Sequence, residues 1–224
     1  MKALSIAIDG PAGAGKSSVS KLLAGRMGYT YLDTGAMYRA LTSEAIRRGL
    51  SDEASIIEMA RAADMQVAPG KTGMKVFLDG RDVTGDIRTP EVSARVSAVS
   101  AIPEVREVMV ELQRKLSVRG GTVLDGRDIG TVVLPDADVK IFLTASPHTR
   151  ALRRYAEMKE KNPAVTVDSI EQDIRRRDYL DSTRAASPLV PASDAVHLDN
   201  SGMTLEETAD AIYRICCERL EADV

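Results

Sequence analysis

The sequence predicts an α/β fold: a parallel sheet layered between helices, carrying a small antiparallel insert. Three observations support this. Short apolar runs at residues 4–8, 29–32, 122–124, 139–143 and 195–198 alternate with amphipathic helical stretches, as strands buried in a parallel sheet do. The first run passes through a glycine-rich loop directly into a helical pattern. Between residues 65 and 86 the rhythm changes to alternating residues and tight-turn dipeptides, the signature of an antiparallel meander.

Taken in order, Leu4, Ile6 and Ile8 form a buried strand, and a helix follows over 16–28, closed by Gly28. Tyr29, Tyr31 and Leu32 form a second strand ending at Asp33-Thr34-Gly35. A helix over 36–48 ends at Gly49, and another over 51–64 is opened by Ser51. The insert reads Met65–Ala68, a Pro-Gly-Lys-Thr-Gly turn, Met74–Leu78, Asp79-Gly80 and Asp82–Thr84. Thr89-Pro90 supplies a cap and first-turn proline for a helix over 90–100, and a second helix runs from Pro103 to Leu116. After Gly120-Gly121 come the strand at 122–124, the strand at 139–143, a helix from Ser146-Pro147 to Glu160 and a helix over 168–180. The last strand, 195–198, is followed by a helix over 204–220 with Leu205, Ala209, Ile212, Ile215 and Cys216 on one face. Leu-Asp-Gly-Arg-Asp occurs twice, at 78–82 and 124–128; without any wider repeat, the match reads as coincidence.

Composition narrows the function. A chain of 224 residues buries roughly 70% of its unfolded surface, so it needs no covalent staples. Tryptophan is absent, and aliphatic residues must fill the core. A net charge of −3 gives no overall cationic field to draw in a polyanion, so nucleic acid is not an expected partner. Cys216 and Cys217 are the only cysteines and are adjacent, which suits a reducing compartment rather than a disulfide or zinc framework. No apolar run spans a membrane, and a cytoplasmic location is expected. His148 and His197 lack metal-ligand spacing.

The glycine-rich loop is the sharpest signal. Gly10, Gly15, Lys16 and Ser17 occupy the defining positions of G-x-x-x-x-G-K-[ST] between a strand and a helix. Such a loop turns backbone N–H groups and the positive helix end toward a phosphate. Lys16 can reach the terminal phosphates, and Ser17 can ligate Mg²⁺. Ligands of parallel sheets sit beyond the carboxyl ends of the strands. Two further polar clusters fall there: Asp33-Thr34-Gly35 with Tyr38 and Arg39, and Asp125-Gly126-Arg127-Asp128, where Asp125 is placed for an indirect link to Mg²⁺. Arginines gather later in the chain. Arg150, Arg153 and Arg154 share one helix; Arg175, Arg176, Arg177 and Arg184 lie on or after the next. The spacing of Arg177, Asp181 and Arg184 puts them on one helical face. That face is either a solvated ion-pair ladder or a set of guanidinium forks that neutralise phosphates during phosphoryl transfer, in which case the two helices form a lid.

These segments resemble the bacterial cytidylate kinases, a family of P-loop nucleoside monophosphate kinases. The matching pieces are 8–17, 32–39, 125–133 and 177–184, with Ser-Pro-Leu at 187–189. The resemblance implies phosphoryl transfer from ATP, with Mg²⁺, to CMP or dCMP. It implies a core over 1–34, 101–146 and 185–224, a nucleoside-monophosphate-binding region with β-insert over 35–100, and an arginine-rich lid over 147–184. ATP would lie against Gly10, Pro11, Ala12, Gly13, Ala14, Gly15, Lys16, Ser17 and Ser18. Thr34, Tyr38 and Arg39 would face the acceptor, and Ser97, Arg106 and Asp128 would read cytosine. Arg39, Arg106, Arg127, Arg177 and Arg184 would hold the acceptor phosphate, with Lys16, Arg127, Arg177 and Arg184 catalytic, and Asp181 would hold the ribose hydroxyls. Thr34 stands where some members carry Ser; the hydroxyl is retained. The expected partners are the small nucleotides alone, and the expected state is a monomer. The rival readings are a P-loop kinase for UMP or another small molecule, and a nucleotide-dependent switch. The chain has no Asn-Lys-x-Asp segment for guanine.

Overall fold

The computed structural model describes residues 3–70, 73–118, 120–160 and 162–222. Five strands, β1 (Ser5–Asp9), β2 (Thr30–Asp33), β6 (Thr122–Gly126), β7 (Val139–Thr144) and β8 (Val196–Asp199), form a wholly parallel sheet in the order β2-β6-β1-β7-β8. The chain goes from β1 outward to β2, returns to fill β6, then moves to β7 and β8 on the far side. A crevice therefore opens beyond the carboxyl ends of β1 and β6, where connections depart to opposite sides.

Alternation along the strands explains the layers. Leu4, Ile6, Ile8 and Val123 pack on one face against Val19, Leu23 and Ala24 of α1 (Lys16–Met27) and Ala209, Ile212 and Cys216 of α8 (Leu205–Ala222). Ala7, Leu32 and Leu124 point the other way, to Ile129 and Val133 and to half-buried Val110 and Leu116 of α5 (Pro103–Ser117). A larger apolar cluster joins α2 (Thr34–Arg47), α3 (Glu53–Ala62), α4 (Pro90–Val99) and α5 to the insert, whose strands β3 (Met65–Gly70), β4 (Gly73–Leu78) and β5 (Arg81–Asp82) form the predicted antiparallel meander. Lys71 and Thr72 of the predicted turn lie outside the described residues. The β4–β5 turn carries the first Leu-Asp-Gly-Arg-Asp copy. Asp79 and Gly80 have φ values of 51° and 77°, a left-handed pair that Asp-Gly accommodates. A small cluster of Ala151, Ile170 and Ile174 binds α6 (Pro147–Met158) to α7 (Val167–Thr183).

Several boundaries differ from expectation for local reasons. Helix α2 starts two residues early, at Thr34, because the Asp33 carboxylate accepts the Ala36 N–H at 2.8 Å and caps it. Asp52, not Ser51, caps α3 through the Ser55 N–H. Helix α7 extends to Thr183, and Arg184 follows in extended backbone, so Arg184 leaves the helical face on which spacing put it. Leu205 is 39% exposed and is not part of the buried face of α8. A π-helical turn at Ile129–Val133, with no counterpart in the sequence reading, follows β6.

Candidate active site

The glycine-rich loop is shaped by its backbone. Gly10, Gly13 and Gly15 have φ values of 147°, 77° and 88°, a region that side chains oppose. A Cβ on Gly10 would stand 2.0 Å from the Leu143 carbonyl oxygen, so the loop can leave β1 only as glycine. Three side chains take up loop carbonyls: Lys16 Nζ donates to Pro11 O at 2.8 Å, Arg150 to Ala12 O at 2.9 Å and Asn200 to Ala14 O at 3.1 Å. Helix α1 begins without a capping side chain or an acidic residue in its first turn. Its amide donors and positive dipole end are therefore left to an anion.

Lys16 is 5% exposed. Burial, with Arg127 nearby, lowers its ammonium to a pKa of about 7. Ser17 Oγ donates to Asp125 at 2.9 Å, and Tyr31 donates its hydroxyl to the other carboxylate oxygen at 2.7 Å. Burial, with the Asp33 charge nearby, raises Asp125 to about 6. These groups occupy the carboxyl ends of β1, β2 and β6, as a parallel sheet places them.

The same cavity, of about 470 Å³, continues from the loop to the second half of the site. Arg106, from α5, ion-pairs with Asp128, donates to Ser100 O at 3.0 Å and lies 5.3 Å over the Tyr38 ring. Arg184 donates to Ser187 O at 2.6 Å and stands 3.5 Å from Asp128. Arg127 donates to Asp181 at 2.8 Å. Arg177 lines the cavity with its Nε unpaired; burial, with Arg127 nearby, lowers its pKa to about 10. Burial lowers Arg39 and Arg184 as well. Among the described residues nine basic and five acidic side chains line this cavity, although the chain carries a net −3. The local excess of cations is a field for phosphate.

Of the residues singled out from sequence, Thr34, Tyr38, Arg39, Ser97, Arg106, Asp125, Arg127, Asp128, Arg177, Asp181 and Arg184 line this cavity, as do Lys16, Ser17, Ser18, Arg153 and Arg154. Arg150 does not. It is 3% exposed, bonded to the Ala12 and Ala145 carbonyls and paired with Asp178 at 2.7 Å. It holds the Ala12 carbonyl of the loop, while Arg153 and Arg154 line the cavity. The Arg–Asp–Arg ladder along α7 is also absent: Asp181 pairs with Arg127, from the turn after β6. The solvated ladder is made by Arg175 with Glu171 and Arg176 with Asp173. Arg88 and Asn200 line the cavity and were missed. Arg88 ends the short 3-10 turn Asp86–Arg88 and Asn200 follows β8; neither belongs to a recognisable motif, and only the three-dimensional fold brings them in.

A family model for cytidylate kinase matches residues 6–218. The cytidylate kinase of Desulfitobacterium hafniense is 49% identical over 222 residues, covering 98% of this chain and 95% of that protein. The cytidylate kinase of Pelotomaculum thermopropionicum is 51% identical over 220 residues, covering 96% and 97%. A solved protein of uncharacterised function from Eubacterium ventriosum superimposes with a TM-score of 0.51 at 14% identity, covering 96% of this chain and 98% of that one; that likeness bears on the fold alone. Family model and relatives agree across nearly the whole chain, and both bracket the glycine loop, the Asp125–Asp128 turn and α7. The chain belongs to the cytidylate kinase family and is, as a member, a nucleotide kinase.

Proposed function

We propose that the chain transfers the γ-phosphoryl group of ATP to CMP or dCMP, giving ADP and CDP or dCDP. The observation that supports this best is one continuous cavity with the Lys16 loop at one end and the Arg106–Asp128 pair at the other. An oxygen of the acceptor phosphate attacks the γ-phosphorus in line while the bond to the β-phosphate oxygen breaks. Positioning and electrostatics carry such a reaction, and no protein nucleophile is needed. In this reading Gly10–Ser18 binds the donor, with Lys16 on the β- and γ-phosphates. Arg39, Arg127, Arg177 and Arg184 neutralise the oxygens that converge between donor and acceptor. The unpaired Nε of Arg177 is a donor waiting for an acceptor oxygen.

Mg²⁺ fits one corner of the site. The Ser17 hydroxyl and the Asp125 carboxylate lie 2.9 Å apart, a pair of hard oxygen donors suited to Mg²⁺ held largely by triphosphate and water. Ser17 would hold it directly, with Asp125 behind. Bound there, the ion would neutralise charge on the transferring phosphates.

Base choice rests on Asp128. Cytosine offers an N4 amino donor that a carboxylate accepts, whereas uracil presents O4 lone pairs. Ser97 and Arg106 complete the reading set, and Asp181 takes the ribose hydroxyls. The proposal extends to the division into core, acceptor region 35–100 and lid 147–184. It extends also to a monomer acting in the cytoplasm, where free thiols such as Cys216 and Cys217 persist. Among the described residues no helix is long and apolar enough to cross a membrane.

A coupled assay with each nucleoside monophosphate, with and without Mg²⁺, tests the reading. CMP and dCMP should be the best acceptors, with Mg²⁺ required. Preference for UMP, for another acceptor, or for none would replace it with another P-loop kinase or a nucleotide switch. Asp128→Ala should narrow the CMP/UMP ratio of kcat/KM by about tenfold or more; an unchanged ratio removes Asp128 from base reading.

A further inference from the structure

Asp9 takes no part in the chemistry above, yet it is a charged group only 5% exposed at the root of the donor loop. Asp9 is not among the residues that line the cavity, and each of its carboxylate oxygens accepts a backbone N–H. One accepts the Ile129 N–H at 2.8 Å, the other the Gly130 N–H at 2.7 Å. These are the first two residues of the π-helical turn Ile129–Val133, whose flanking residue is Asp128. Burial raises the carboxyl of Asp9 to about 6, against the two backbone hydrogen bonds. The opposite end of the turn is held too. Arg114, on the helix that carries Arg106, donates to the Val133 carbonyl at 2.9 Å and to that of Val132 at 2.6 Å. Such π turns are rare and are frequent at functional sites. Here the first two N–H groups and the last two carbonyls of the turn all go to side chains from other elements.

We infer that Asp9 is a positioning residue for acceptor-base recognition: together with Arg114 it clamps both ends of the π-helical turn and so sets the Asp128 carboxylate against Arg106. The inference rests on the assignment of Asp128 as a base reader. It also explains why the first residue before the glycine loop is an acid. One carboxylate ties the root of the donor loop to the acceptor reader, so the two half-sites share a rigid element. The steric setting agrees: a Cβ on Gly130 would meet Lys140 at 3.2 Å and the Asp9 carboxylate at 3.4 Å, leaving the turn little room to shift.

The test is steady-state kinetics of Asp9→Asn and Arg114→Met, with Asp128→Ala and wild type alongside, using CMP, UMP and ATP as variable substrates. Asn keeps one acceptor but turns a donor amide toward the second N–H. Both clamp variants should raise KM for CMP by about tenfold and narrow the CMP/UMP ratio, because small misplacement of a positioned group is costly. KM for ATP should stay within about twofold. A general loss of stability would lower kcat or active fraction without changing the CMP/UMP ratio, and that outcome overturns the inference. So does a rise in KM for ATP alone in Asp9→Asn, which would make the carboxylate a partner of Lys16. Arg114→Met lies away from the donor loop and decides the matter if Asp9→Asn fails to fold. Failure of Asp128→Ala to change the ratio overturns the base-reader assignment and this inference together. A normal Asp128→Ala effect with silent clamp variants overturns the inference alone.

Discussion

The proposed donor end of the cavity is one loop, Gly10–Ser17, shaped by three left-handed glycines and by side chains that hold its carbonyls. The proposed acceptor end draws Tyr38 and Arg39 from α2, Ser97 from α4, Arg106 from α5, Arg127 and Asp128 from the turn after β6, and Arg177 and Asp181 from α7. Backbone amides make the first and guanidinium–carboxylate pairs the second. A site built largely of main chain depends on few side chains, here the required glycines, Lys16 and the groups that hold its carbonyls. A site built of buried ion pairs depends on many, since removing one partner strands the other charge. Under the proposed function, the contrast places triphosphate binding at the loop end and base selectivity at the ion-paired end, with the arginines between them serving transfer.

That assignment can be broken by substitution. The largest effect is expected from Lys16→Ala: kcat should fall by about 10²- to 10³-fold, as for loss of one preorganised donor to developing charge. Its affinity for CMP, measured calorimetrically, should change less than about threefold. Loss of CMP binding would mean that the two ends are not separable. Arg150→Met should come next. It strands Asp178 and frees the Ala12 carbonyl, for a cost of about 3 kcal/mol in urea unfolding, with KM for ATP rising more than KM for CMP. The reverse order of KM effects would overturn the placement of Arg150 as a support of the glycine loop.

Asp181→Asn weakens the partner of Arg127 while leaving Asp128 in place. KM for CMP should rise about tenfold, within the range for a charged hydrogen bond, with the CMP/UMP ratio unchanged. A changed ratio would spread base reading beyond Asp128. The smallest effect is a proton. In free protein the buried Lys16 ammonium titrates at about 7, well below an exposed lysine. A bound triphosphate favours the charged form and raises that value, so at pH 8 the free lysine is mostly neutral and the bound one charged. ATP binding should therefore take up a proton above pH 7, with uptake vanishing near pH 6, where both states are protonated. Titration calorimetry in buffers of different ionisation enthalpy measures it, and uptake that persists in Lys16→Ala would assign the proton elsewhere.

Legibility followed the same divide. The glycine-rich loop could be read almost completely, because its chemistry is contained in eight consecutive residues, Gly10–Ser17, with strand and helix patterns on either side. The acceptor arginines were found in part by density and in part by family resemblance, but their pairings were not. Spacing put Asp181 between Arg177 and Arg184 on a helix; the structure instead gives it to Arg127, 54 residues away in the chain. Arg150 shares a helix with Arg153 and Arg154, yet holds the Ala12 carbonyl of the loop while Arg153 and Arg154 line the cavity. Helical spacing shows which residues share a face and not which neighbour that face meets.

The sequence by itself determined the α/β class, the antiparallel insert and the phosphate loop, because periodicity and glycine geometry act within a few residues. Tertiary structure decided the strand order, the partner of each buried charge and the π-helical turn held between Asp9 and Arg114. Those depend on contacts between segments up to about half the chain apart, such as Asp9 with Gly130, 121 residues on. No local pattern encodes which distant backbone group will lie within reach of a buried carboxylate.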